Sequence, residues 1–129
     1  MNSKQFLQLG GIVLVLVGIL GMTGPIGPLA ENSLFGEAWW FDMYENWVHL
    51  ILGIVALIAA YAFPGSIQKP VVVIVGLVAL YFAAYSGLVS SDYYGTAMLQ
   101  QHADTLLHLV VGVWALWAAL RKGGSSMMA

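Results

Sequence analysis

The chain contains no cysteine and very little charge. Charged residues make up 8% of its 129 positions, with four Lys and Arg against six Asp and Glu. Without cysteine there is no disulfide, no thiolate ligand and no thiol nucleophile. Four basic residues are too few for a nucleic-acid-binding surface. The phosphate loop G-x-x-x-x-G-K-[ST], the nucleophile elbow G-x-S-x-G and the zinc helix H-E-x-x-H are also missing, so we do not expect a stand-alone enzyme.

Apolar residues dominate what remains. They form 60% of the chain, and the mean hydropathy is +0.86, values typical of an integral membrane protein. Four long apolar stretches are visible: Phe6 to Thr23, Tyr44 to Phe63, Pro70 to Leu88 and Thr105 to Leu120. As helices they would each be about 24 to 30 Å long, close to the thickness of a bilayer core. We therefore predict an all-α membrane protein with four transmembrane helices in a single domain, 1–129. We expect the first stretch to be retained as a helix and not removed as a signal peptide.

The chain is an internal duplication. The segment His49–Ala60 returns as His108–Ala119, 59 residues later, and each copy has a carboxylate four residues before its histidine. Repeat one covers about 5–63 and repeat two about 70–121, with two predicted helices in each. A repeat with two spans returns to its starting side of the membrane, so both copies insert in the same orientation. We therefore predict two tandem helical hairpins with a pseudo-twofold axis along the membrane normal.

The distribution of charge predicts the orientation. The basic residues are at the N-terminus, between the second and third apolar stretches, and after the fourth: Lys4, Lys69, Arg121 and Lys122. The acidic residues are in or beside the two other loops: Glu31, Glu37, Asp42, Glu45, Asp92 and Asp104. The positive-inside rule then predicts a multi-pass protein of the inner (cytoplasmic) membrane with both termini in the cytoplasm and the acidic loops outside.

The histidine motifs resemble those of an uncharacterised family of small bacterial membrane proteins with four helices, catalogued as a domain of unknown function. That family carries H-L-x-x-G in helix two and A-D-x-x-L-H-L-x-x-G in helix four. The matching segments here are Val48–Gly53 and Ala103–Gly112. The chain departs from the pattern at Thr105, where the family often has Asn, and in its aromatic first outer loop. The resemblance implies a fold and a topology and no activity.

Metal binding is one function that the repeated motif allows. Residues four apart share a helix face, so Glu45, His49 and Gly53 form one ridge. Asp104, His108 and Gly112 form its counterpart. If the ridges face each other, two carboxylates and two imidazoles, from Glu45, His49, Asp104 and His108, are a ligand set that Zn²⁺, Mn²⁺ or Fe²⁺ accepts.

Haem binding uses the same histidines differently. His49 and His108 would be the axial ligands of one b-type haem between helices two and four. Gly53 and Gly112 would make room for the porphyrin. With one histidine pair at this depth, such a protein holds a single haem near the outer surface.

A structural role explains the motif equally well. Glu45 and Asp104 are in the first turns of their helices, where a carboxylate interacts favourably with the helix dipole and can accept a hydrogen bond from its own histidine. The function predicted first is therefore an accessory or scaffold subunit of a membrane assembly, with lipids and other membrane subunits, or further copies of the chain, as partners. A cofactor-binding protein is the alternative. Ion or proton transport is the third, although no span carries a charge or a proline at its centre.

An aromatic cluster precedes the second helix, and two further tyrosines, Tyr93 and Tyr94, stand in the second outer loop. The sequence predicts an interfacial belt at the outer edge of the membrane. A docking surface is the alternative. The cluster comprises Phe35, Trp39, Trp40, Phe41, Tyr44 and Trp47.

Overall fold

The computed structural model describes residues 1–36, 39–89, 93–94, 97–98 and 102–121, and within these ranges it leaves out the side chains of residues 89, 93–94, 97–98 and 102–104. The fold is helical, as predicted. Its four long helices are α1 (Ser3–Thr23), α2 (Met43–Ala62), α3 (Gly65–Ala84) and α4 (His102–Leu120). A 3-10 turn covers Ala30–Asn32, a π-helical turn (Tyr85–Val89) extends α3, and two two-residue strands, β1 (Tyr93–Tyr94) and β2 (Ala97–Met98), pair antiparallel.

Three of the helices are long and apolar enough to cross a membrane: Ser3–Thr23, Met43–Ala62 and Gly65–Leu88. The described part of α4 that is apolar, Thr105–Leu120, is shorter. Large apolar side chains are exposed along all four helices, among them Leu16, Val55, Ile74 and Val113. A soluble bundle would bury such apolar stripes against another element, whereas in a membrane they can remain on the surface in contact with lipid. The structure is consistent with a membrane protein.

The helices pack as two pairs. α1 packs chiefly along α2 and α3 along α4, and α1 also contacts both helices of the second pair. Glycines make these pairs close. A Cβ at Gly53 would meet Val15 N at 2.7 Å and Gly11 O at 2.8 Å, so only the missing side chain lets α2 touch the backbone of α1.

The second pair repeats this contact with equivalent residues. A Cβ at Gly112 would meet Leu80 Cγ at 2.6 Å and Gly76 O at 3.1 Å. Gly112 is 59 residues after Gly53, while Gly76 and Leu80 are each 65 residues after Gly11 and Val15. The same interhelical contact is thus built twice from corresponding positions.

One end of the bundle, here called the basic end, contains the starts of α1 and α3 and the finishes of α2 and α4. A buried core joins all four helices there and consists of Phe6, Leu7, Ala59, Ala60, Val72, Ala115, Ala118 and Ala119. The rings of Phe6 and Trp114 pack edge to face with centroids 4.5 Å apart, and Trp114 Nε1 donates to Met1 Sδ at 3.0 Å. Gln68, 2% exposed, donates from Nε2 to the carbonyls of Ala59 (3.1 Å) and Ala60 (3.0 Å).

The opposite end, here called the histidine end, is covered in part by the loop between α1 and α2. Phe41 N donates to Ile26 O at 2.8 Å, and Ser33 Oγ donates to Trp39 O at 2.7 Å, so the loop folds back on itself. Gly27 has φ +154°, and a Cβ there would overlap the carbonyl of Phe41. The fold of the loop places Phe41, 4% exposed, against the start of α2.

Candidate functional site

Both histidines of the repeated motif lie at the histidine end, nearly two turns inside α2 and α4. His49 and His108 are each half-buried, and His49 is within electrostatic range of both His108 and Asp42. The two histidines that the duplication singled out therefore interact electrostatically, although they come from different hairpins.

Each imidazole packs against a phenylalanine. The rings of His49 and Phe41 meet edge to face with centroids 5.0 Å apart, and those of His108 and Phe82 are 5.7 Å apart. Phe41 comes from the first loop and Phe82 from α3, so the two contacts are not copies of each other. Nδ1 of His49 is covered and has no hydrogen-bond partner among the described residues.

Glu45 has a capping role. The Asp42 carboxylate accepts from Glu45 N at 2.8 Å, and Glu45 Oε1 accepts from Asp42 N at 3.2 Å. This reciprocal pair is a capping box, which satisfies backbone donors at the start of a helix that have no partner within it. The prediction of a carboxylate at a helix start is confirmed for Glu45. The hydrogen bond expected between Glu45 and its own histidine does not use Nδ1 of His49.

The described residues contain no group of three or more His, Asp or Glu side chains placed to hold a metal ion. The Asp104 side chain is outside the described residues, so the predicted ligand set of Glu45, His49, Asp104 and His108 stays a prediction. Gly53 and Gly112 face α1 and α3 of their own hairpins, and those helices fill the space beside them.

Sequence reasoning missed two polar contacts beside the histidines. Asn46 is fully buried, donates from Nδ2 to Phe41 O at 3.4 Å, and lies where a side chain at Gly21 would overlap it. In the second hairpin, Ser86 Oγ and Thr105 Oγ1 are 2.7 Å apart and hydrogen bonded. Thr105 is 59 residues after Asn46 and Ser86 is 65 after Gly21, so the two contacts occupy equivalent places. The repeat offset was the signal that could have found them.

The aromatic cluster divides into a buried and an exposed part. Ring contacts run from Phe35 to Trp39 (centroids 5.3 Å apart), from Trp39 to Phe41 (5.2 Å) and from Phe41 to His49. Phe41 belongs to the interior of the loop, whereas Phe35, Tyr44 and Trp47 are more than half exposed. The exposed members are the ones available to lipid or to another protein.

Fold and site together define a small helical protein with membrane-spanning candidates and a histidine pair at one end of the bundle. Comparison with family models, with curated proteins and with solved structures finds no match. The resemblance to the family of small four-helix membrane proteins therefore stays a prediction from its motifs.

Proposed function

We propose that the protein is an accessory or scaffold subunit of a membrane assembly. One observation carries this proposal: several of the few buried polar side chains cap helices or join one helix to another. Gln68 caps α2, Ser86 bonds to the start of α4, and the Asp42–Glu45 pair caps α2 at its other end. These contacts stabilise helices and their packing. Exposed aromatic side chains at the histidine end leave a surface for a partner subunit or a further copy of the chain.

The proposed topology is four membrane crossings in two tandem hairpins related by a pseudo-twofold axis. Support comes from the paired contacts Gly11–Gly53 and Gly76–Gly112 and from the equivalent places of Asn46 and Thr105. α4 has 19 residues and is therefore about 28 Å long, enough for a fourth crossing. The proposed location is the inner (cytoplasmic) membrane. The asymmetry of charge between the two ends orients the basic end toward the cytoplasm.

Cysteine labelling tests the orientation without background, because the chain has no cysteine. Leu34 is 81% exposed in the first loop, and Ser66 is exposed at the start of α3. With an impermeant thiol reagent on intact cells, after permeabilising any outer membrane, we expect Leu34→Cys to react and Ser66→Cys to react only after lysis. The reverse pattern would place the histidine end in the cytoplasm.

A second candidate is a cofactor held by His49 and His108. It is favoured by the electrostatic interaction between the two imidazoles and by the covered Nδ1 of His49, which has no hydrogen-bond partner among the described residues. A metal ion or a b-type haem would take its imidazole ligands here. Such a group would supply Lewis acidity or electron transfer.

Elemental analysis of detergent-purified protein separates the two functions. If the protein is a scaffold subunit, wild type and His49→Ala/His108→Ala contain the same trace amount of metal. The double variant then loses about 1 to 2 kcal/mol of unfolding free energy, because the contacts of the two imidazoles with phenylalanine are lost. If the two histidines hold a cofactor, wild type contains near-stoichiometric iron, zinc, manganese or copper. The double variant lacks this metal, and either single variant loses most of it. His102→Ala controls for adventitious binding to histidine.

Association of the protein with partner subunits, or with further copies of itself, is tested in native membranes. After cross-linking and mild extraction, the chain is expected in a discrete species well above its own 13.9 kDa. Recovery of the monomer alone, with cross-linking verified on a known complex, would contradict the scaffold role.

A further inference from the structure

The basic end carries positive charge that the described residues do not neutralise. Lys4 is two residues before the core residue Phe6, Lys69 is three before Val72, and Arg121 follows Ala119 by two. The same core joins the four helix ends, so it places the three cations around one end of the bundle. None of these cations forms an ion pair within the part of the chain that the structure describes, where the carboxylates of Asp42 and Glu45 lie at the opposite end.

Aromatic rings hold two of these cations at the edge of the apolar surface. Lys4 Nζ is 5.8 Å from the centroid of the Tyr61 ring, and Arg121 Cζ is 4.9 Å from that of Trp117. Such contacts fix a cation and leave its hydrogen-bond donors available, because a ring face accepts no strong hydrogen bond. At this end of α2, the carbonyls of Ala59 and Ala60 already accept hydrogen bonds from Gln68.

Exposed apolar side chains adjoin the cations. Tyr61 is 70% exposed, Leu120 58% and Ile67 47%. A ligand that fits this surface has an anionic head for the cations and hydrocarbon for the apolar side chains below them. A soluble phosphate satisfies only the first requirement.

We propose that the basic end binds anionic phospholipid through Lys4, Lys69 and Arg121, with Tyr61 and Trp117 at the boundary between headgroup and acyl chain. Phosphate oxygens accept hydrogen bonds from the three cations, and the acyl chains lie along the exposed faces of α2 and α4. This inference rests on the membrane topology proposed above. It requires neither the scaffold role nor a particular orientation.

Native mass spectrometry of full-length protein in nanodiscs with equal amounts of phosphatidylglycerol and phosphatidylcholine tests the proposal. Nanodiscs expose both leaflets, so the result is independent of orientation. We expect wild type to retain phosphatidylglycerol over phosphatidylcholine by about tenfold or more, since each base near an anionic surface contributes about a fivefold preference. Lys4→Gln/Lys69→Gln/Arg121→Gln should reduce the ratio to below about twofold.

The matched control is Lys4→Arg/Lys69→Arg/Arg121→Lys, which keeps every charge and should keep the preference. Lys69→Gln alone removes an exposed side chain, cannot disturb the core, and should lower the ratio by about fivefold.

Equal retention of the two lipids by wild type, or an unchanged preference in the triple glutamine variant, would overturn the proposal. Displacement of phosphatidylglycerol by inorganic phosphate would also overturn it, because the site would then recognise the phosphate and not the lipid. Failure to enter nanodiscs at all would instead count against the membrane topology.

Discussion

Gly53→Ala is expected to destabilise the protein by about 1 to 3 kcal/mol, the range for forcing an extra methyl group into a filled interface. The new Cβ would lie 2.7 Å from Val15 N and 2.8 Å from Gly11 O. Both are backbone atoms of α1, which cannot rotate away as a side chain can. The first hairpin must therefore separate along its length, and it loses dispersion contacts that hydrophobic burial does not replace in lipid. The measurement is the unfolding free energy from a titration with sodium dodecyl sulfate, followed by circular dichroism.

Gly10→Ala is the matched control, because it makes the same chemical change in α1, at the position next to Gly11. Its Cβ would have only the Phe6 ring nearby, at 3.8 Å, which is ordinary contact. The higher helix propensity of alanine should make this variant neutral or up to about 1 kcal/mol more stable. Equal behaviour of the two variants would show that the backbones of α1 and α2 do not touch at Gly53.

Gln68→Met should cost about 1 to 3 kcal/mol, the penalty for leaving a buried carbonyl without a donor. Methionine matches glutamine in length and fills the same buried space. The variant removes the two hydrogen bonds of Nε2 together with Oε1, which has no hydrogen-bond partner among the described residues, so the measured cost is a net value. Ala59 O also accepts from Phe63 N at 3.3 Å and keeps that partner. The loss therefore falls mainly on Ala60 O.

The same titration measures the effect, with Gln8→Met as control, because Gln8 is a half-buried glutamine of α1 and undergoes the same chemical change. Only Gln68→Met should lower the unfolding free energy by more than about 0.5 kcal/mol, the usual limit for a substitution away from such contacts. A similar loss in both variants would mean that the Gln68 amide does not stabilise the end of α2.

Helix positions could be predicted because apolar length is a local property of the sequence. The predicted stretch Tyr44 to Phe63 became Met43–Ala62, and Phe6 to Thr23 became Ser3–Thr23. The α3 helix was harder to delimit, since it begins at Gly65, before Pro70. Pro70 is the sixth residue of α3, so it lacks the N–H that would bond to the Ser66 carbonyl, and the helix continues past this one missing hydrogen bond.

The candidate site was predictable only in part. The repeat identified His49 and His108, and the carboxylate at the helix start was expected for Glu45. The contact of the Glu45 carboxylate with the backbone N–H of Asp42 was not predicted, although the spacing Asp42-x-x-Glu45 is typical of a capping box. The glycines of the motif, Gly53 and Gly112, were expected to make room for a cofactor. In the structure, the neighbouring helix of the same hairpin occupies the space beside each of them.

The sequence by itself determined the helical class, the approximate bounds of the helices, the duplication and the separation of basic from acidic residues, since each depends on residue type and spacing along the chain. Only the tertiary structure decided which face of each helix meets which neighbour. It paired Gly53 with α1, put Ser86 against Thr105 and brought Lys4, Lys69 and Arg121 around one core. These arrangements follow from the close packing of residues far apart in sequence, which helical periodicity does not specify.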